Sequence, residues 1–275
     1  MTDKMRLNKS DLLYFIKHPF DYFVNAKGVV DVWFFSKVYN VGDLVGPYLL
    51  EKLCGKKVRK NILGLRPHYL SVGSIFDQVT EESVVWGAGF MRDSDELVCH
   101  PSKVLLVRGK LTKNKLPTEL NCVMGDPALA LGRFYSPKSR LSNKRKVGIV
   151  LHYSDEHLKG QFIKQEGVKI IDVKQGVESF VDEISSCSSV FSSSLHGLII
   201  SDAYQVPNCW IRFDECQRFD DFKYHDYYSI FSEKDVTVKP LIINAKKTVS
   251  LLEQVSSCCT REIKEHVDMI VNSFE

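Results

Sequence analysis

From Val29 onward, short β-branched runs alternate with helix-patterned stretches, and no other feature of the chain narrows its fold so far. Strands that alternate with helices build parallel β-α-β units and an open α/β sheet. Val29 to Phe35 reads as a strand, followed by a helix that Asp43 caps, that runs through Leu49, Leu50 and Leu53, and that stops at Gly55. Further strands are predicted at Tyr69 to Val72, Ser83 to Trp86, Lys103 to Val107 and Cys122 to Met124. The pattern then breaks. Ser136 to Lys146 holds Lys138, Arg140, Lys144, Arg145 and Lys146 without an acid, which reads as a solvated linker or as the border of a cleft facing an anion. Beyond it the alternation restarts: strands at Val147 to His152, Val168 to Val173, Ser189 to Phe191 and Asn208 to Phe213. Helices are predicted at Asp155 to Gln165, Gly176 to Cys187, Leu195 to Tyr204, Asp221 to Phe231, Lys246 to Val255 and Thr260 to Phe274. The expected fold is α/β, with two units, residues 1–140 and 141–275, facing across a cleft lined by the C-terminal ends of strands.

Composition removes several classes. With 44% hydrophobic and 26% charged residues, the chain has the balance of a globular protein. A net charge of +3 is too mild to argue for nucleic-acid binding, and none is expected. No apolar run reaches membrane-spanning length, and Met1 to Lys9 lacks the pattern of a secretory signal, so a cytoplasmic protein is expected. The cysteines are scattered apart from the adjacent Cys258 and Cys259, with no C-x-x-C pair. They read as reduced thiols, and neither a metal site nor a bound cofactor is expected.

The strongest local signal is F-S-S-S-L-H-G, Phe191 to Gly197, read as strand, turn and helix. Free N–H groups and the positive end of the dipole at such a helix start suit a phosphate or carboxylate, with Ser193, Ser194, Leu195 and His196 beside it. A plain serine cap with a packed histidine fits the same residues. His152, at the end of its strand, falls where open sheets place active sites. Arg108, after Leu105 to Val107, suits bidentate binding of an anion or pairing with an acid. In N-V-G-D, Gly42 permits close backbone approach. The W-G-A-G turn, Trp86 to Gly89, falls short of a dinucleotide fingerprint.

Read in order, N-V-G-D, V-V-W-G-A-G-F, V-R-G-K-L-T, G-D-P-A-L, V-G-I-V-L-H-Y and S-S-S-L-H-G-L-I-I-S-D-A-Y resemble the polysaccharide pyruvyl transferase family, from about Trp33 to Phe231. The resemblance implies two Rossmann-like domains of the GT-B glycosyltransferase type. It also implies transfer of a pyruvyl group from phosphoenolpyruvate to a sugar, usually as a cyclic ketal, in capsule or exopolysaccharide biosynthesis. Within it, His196 and His152 become the catalytic candidates. Arg108, Ser193, Ser194 and Leu195 become donor-binding candidates. Many members carry arginine where this chain has Ser194; Lys223, in F-K-Y-H-D-Y-Y, or else Arg212, is expected to supply the missing charge. Asn40, Asp43, Gly87 and Phe90 are expected on the acceptor side. The acceptor would be a sugar or a lipid-linked oligosaccharide, met at the inner face of the membrane. The basic linker is compatible with contact to that surface, and so is the apolar stretch from Leu12 to Phe23, although the latter reads first as cover for the sheet of the first domain. A nucleotide-sugar glycosyltransferase and a non-catalytic carbohydrate- or anion-binding relative are the alternatives.

Overall fold

The computed structural model describes residues 28–61, 64, 66–138, 146–163, 165–214, 220–231, 239–244 and 250–274. The apolar stretch from Leu12 to Phe23 and most of the basic linker, including Arg140, Lys144 and Arg145, lie outside them. The first half runs β1 (Val29–Trp33), α1 (Val41–Cys54), β2 (Lys57–Lys60), β3 (His68–Leu70), β4 (Ser83–Trp86), β5 (Lys103–Val107), α2 (Lys110–Lys113) and β6 (Val123–Met124). Its strands form one sheet in the order β2-β1-β3-β4-β5-β6, and every pairing is parallel. The second half runs β7 (Lys146–Val150), β8 (Val168–Ile171), α3 (Val177–Ser185), β9 (Cys187–Ser192), α4 (Leu195–Ala203), β10 (Asn208–Phe213), α5 (Phe222–Tyr228), β11 (Leu241–Ile243) and α6 (Lys264–Asn272). It forms a second all-parallel sheet, β11-β10-β9-β7-β8. Parallel strands covered on both faces need continuous apolar runs. Val147, Ile149 and Val150 of β7 and Val190 and Phe191 of β9 are accordingly buried.

Several boundaries differ from those read in the sequence. Asn40, not Asp43, caps α1: its Oδ1 accepts from the Gly42 N–H at 3.3 Å, and Asp43 sits in the first turn, where its Oδ2 accepts from Asn40 Nδ2 at 3.1 Å. The segment expected as a helix from Asp155 to Gln165 is a 3₁₀ helix, Tyr153–Gln161, and β7 stops before His152, which caps it. The last helix begins at Lys264 rather than Thr260. Strand β2 is absent from the elements read in the sequence, since K-V-R-K lacks the apolar run of a buried strand. It is an edge strand, where charge is tolerated, and Arg59 anchors it by a bidentate pair with Asp31 of β1, at 2.8 and 2.7 Å.

The two sheets share one buried core, in which Val41, Val45 and Leu49 of α1 meet Leu195, Leu198 and Ile199 of α4. The start of α1 is tied to the second half by the Val41 N–H, which donates to the Val173 carbonyl at 2.8 Å. Helix α6 returns to the first sheet: Trp86 Nε1 donates to Ser273 Oγ at 3.2 Å, and Phe274 packs against both Trp86 and Tyr69.

Candidate active site

The C-terminal ends of β1, β3, β7 and β9 open into a cleft of about 410 Å³ where the two halves meet. Two helix N-termini reach it, that of α1 through Asn40 and Asp43 and that of α4 through Ser194, Leu195 and His196. His152, Tyr153 and Lys223 complete the side built by the second half. Trp33, Phe34 and Phe35 line the side built by the first.

The turn before α4 is fixed by its own serines. Ser192 Oγ accepts from the Ser194 N–H at 3.0 Å and donates to the Ser194 carbonyl at 2.7 Å, which bends the chain from strand into helix. Ser193 turns away from the helix axis. Its hydroxyl donates to Asp155 at 2.7 Å and accepts from the His152 N–H at 3.0 Å. Ser194 is the N-cap by position, yet its side chain makes no capping hydrogen bond.

His152 Nδ1 accepts from the Ser154 N–H at 3.3 Å and lies 2.7 Å from its hydroxyl, so the neutral ring carries its proton on Nε2. Burial, with Lys223 adding to it and Asp155 opposing, lowers the His152 pKa to about 4. His196 is lowered to about 3, first by burial and then by Lys223, Arg108 and His152. Both imidazoles are therefore neutral at physiological pH. Lys223 is itself brought down to about 8 by burial and Arg108, against Asp155, Asp43 and Asp221. Asp43 is raised to about 7 because burial outweighs the Asn40 hydrogen bond and the pull of Lys223. A carboxyl and an ammonium that both titrate near neutrality suit proton transfer and anion binding.

Arg108 stands beneath this cleft rather than in it. Its Nε donates to Asp226 at 2.9 Å, Nη1 donates to Ser74 Oγ at 2.7 Å, and Nη2 donates to the Phe90 carbonyl. Both partners of the Arg108–Asp226 pair are fully buried. Asp226 also accepts from the Thr112 N–H at 2.8 Å and the Thr112 hydroxyl at 2.6 Å. The R-G-x-x-T segment thus closes around one carboxylate of α5, one turn beyond Lys223. Gly109 allows it, because a Cβ there would collide with the Asp226 backbone. Tyr224 donates from its hydroxyl to the Ser193 carbonyl at 2.8 Å, so α5 is held by the first half and by the serine turn together.

Other sequence candidates are placed apart. Arg212 pairs with Asp221 and lines a smaller recess behind His152 and Lys223. Phe90 is buried against Phe76, and Gly87 is covered by Pro127; neither lines the cleft. Asp155, Asp126 and Asp226 were passed over in the sequence, although Asp155 stands in L-H-Y-S-D and Asp126 in G-D-P. Acids distant in sequence from the groups they hold carry no local signal. Among the described residues, no group of three or more His, Cys, Asp or Glu side chains could hold a metal ion.

Neutral histidines, a buried lysine and a helix N-terminus at the ends of parallel strands form a chemistry suited to an anionic small molecule. The family model for polysaccharide pyruvyl transferase matches residues 61–215, more than half of the chain, and the protein belongs to that family. His152, His196 and Arg108 fall inside the matched span; Asn40, Asp43 and Lys223 fall outside it. The chain is also 29% identical over 236 residues to an uncharacterised protein of Acanthamoeba polyphaga mimivirus, covering 80% of each. Among solved structures, it is similar to a functionally uncharacterised protein of Klebsiella pneumoniae subsp. pneumoniae, at 12% identity and a TM-score of 0.42. That match covers 89% of this chain and all of the other.

Proposed function

We propose that the protein moves the pyruvyl group of phosphoenolpyruvate onto two hydroxyls of a sugar, as a cyclic ketal. The observation that carries this reading is the unequal character of the cleft walls. Lys223, two donor-capable histidines and a helix N-terminus stand on one side, and aromatic rings with Asn40 and Asp43 on the other. On this reading the donor phosphate lies at the start of α4 beside Lys223, which supplies the charge that Ser194 does not. His152, through Nε2–H, takes a donor oxygen. The sugar stacks its apolar face on Trp33, Phe34 or Phe35 and offers its hydroxyls to Asn40 and Asp43.

The chemistry then follows in balanced steps. Once the bound anion offsets Lys223, His196 gains a proton and delivers it to the methylene carbon of the donor, and oxocarbenium character develops at C2. A sugar hydroxyl attacks C2 as Asp43 takes its proton. Phosphate leaves, and the second hydroxyl closes the ketal. Two hydroxyl protons are lost, one balancing the methyl group formed and the other leaving with phosphate.

Two facing units of the GT-B type and action on a cell-surface glycan or its lipid-linked precursor, at the inner face of a membrane, belong to the same proposal. No helix among the described residues is long and apolar enough to cross a membrane. Thermal shift with phosphoenolpyruvate and with a panel of UDP-sugars separates the donors, and phosphate release with an added sugar acceptor tests turnover. Stabilisation by phosphoenolpyruvate and acceptor-dependent phosphate release are expected. Stabilisation by a UDP-sugar alone would make the protein a glycosyltransferase, and binding without release would make it a non-catalytic relative.

A further inference from the structure

Asp126 opens the 3₁₀ segment Pro127–Arg133, and one of its oxygens is committed there: Oδ1 accepts from the Ala128 N–H at 2.9 Å. Its other oxygen, Oδ2, is buried without a hydrogen-bond partner among the described residues. Facing it at 4.0 Å is Nε2 of His196, which is also buried and also without a hydrogen-bond partner among the described residues. A buried polar atom left without a partner is costly, so two that face each other call for a reason. Both groups are oriented by their neighbours: the carboxyl by its cap, and the imidazole by packing over Gly42, where any Cβ would strike Nδ1. With Nε2 turned to Asp126, Nδ1 is the nitrogen left to the cleft. A closure of about 1 Å would bring the facing atoms to charge-assisted hydrogen-bond distance.

We propose that Asp126 is a positioning residue for His196: when an anion occupies the cleft, its carboxylate accepts Nε2–H, stabilises the imidazolium and aims Nδ1 at the substrate. That the anion is phosphoenolpyruvate rests on the preceding reading; the pairing does not. In the free protein Lys223, Arg108 and His152 disfavour the His196 imidazolium, while at Asp126 Arg108 favours the carboxylate and Asp226 opposes it. Burial raises the Asp126 carboxyl to about 6, so at pH 7 it is mostly ionised while His196 is neutral. An anion beside Lys223 cancels the strongest charge acting against the imidazolium, and the counter-ion is already there.

Two substitutions separate this from a structural role. Asp126→Asn keeps the capping oxygen but can turn an amide donor toward Nε2, and Asp126→Ser keeps a cap without charge. In the free protein, imidazole 15N spectra of His196 should show the proton on Nε2 in wild type and on Nδ1 in Asp126→Asn. With phosphoenolpyruvate bound, His196 should titrate at higher pH in wild type than in either variant. The alkaline limb of kcat should fall by about one pH unit, a tenfold change in protonation, with donor KM altered less than threefold. An unchanged tautomer in the folded Asn variant, or an unmoved alkaline limb in both, would overturn the pairing. Failure of wild type to bind phosphoenolpyruvate would sink the donor assignment instead, and the ligand-free tautomer comparison would still decide the pair.

Discussion

The two walls of the cleft are built by the same device, a helix N-terminus at the end of a parallel strand, yet they differ in chemistry. On the α4 side the helix start is accompanied by neutral histidines and Lys223, and the Ser194 side chain makes no capping hydrogen bond to its N–H groups. On the α1 side the helix start is occupied by its own residues, Asn40 and Asp43, bonded to each other. On the proposed reading an anion gains on the first wall and would be repelled by an ionised Asp43 on the second. The difference teaches that fold position alone does not make an anion site; what matters is whether the protein has already spent the helix end on itself.

His196→Ala should break the comparison most severely. Removing a general acid or base typically reduces turnover ~10²–10⁴-fold. Retained activity within a few-fold would take His196 out of the chemistry. Arg108→Ala should act on the fold instead, because it strands the buried Asp226 carboxylate, and breaking one partner of such a pair costs about 3–5 kcal/mol. Denaturant unfolding measures it; an unaltered midpoint with weakened donor binding would return Arg108 to the donor site. Lys223→Ala should leave the fold largely intact and weaken donor affinity. A charge-assisted contact of about 1.5–3 kcal/mol corresponds to ~10–150-fold. If affinity falls in Arg212→Ala and not in Lys223→Ala, the cation has been misassigned.

Asp43→Asn is the smallest change and the one that sharpens the contrast. The folded-state pKa of Asp43, about 7, lies above its unfolded value, 3.8. Its ionisation therefore opposes folding increasingly as pH rises from about 4 to 7, and the opposition levels off above that. The variant should be more stable than wild type, by a larger margin at pH 8 than at pH 4, while losing activity. Equal Tm differences at the two pH values would mean that burial does not perturb this carboxyl.

Much of the fold was legible because buried parallel strands must be apolar along their length, and β5, β7 and β10 announce themselves in that way. Strand β2 did not, since an edge strand is free to carry Lys57, Arg59 and Lys60. Of the candidate site, His152 and His196 are marked in the sequence by a strand end and a helix start, whereas Lys223 is reached only through the family resemblance. The position of Arg108 was legible but its surroundings were not, because Asp226 lies far along the chain and nothing local marks the two as partners. Asp126 was hidden for a related reason. In the sequence G-D-P is only one motif of the family resemblance; the structure makes Asp126 the cap of a 3₁₀ turn, and only the fold brings its second oxygen near a histidine.

The central claim is that the α4 wall is a pre-formed site for an anion, held short of protons until the anion arrives. Titration calorimetry with phosphoenolpyruvate at pH 8, in buffers of different ionisation enthalpy, tests it most directly. A phosphate with a second pKa near 6 is already fully ionised there, so any proton exchanged belongs to the protein. Lys223, about 8 in the free state, and the lowered histidines should each move upward beside the bound charge. Binding should therefore take up protons, and affinity should strengthen as pH falls from 9 toward 7. Binding with no proton uptake, or affinity that weakens over that range, would contradict the account.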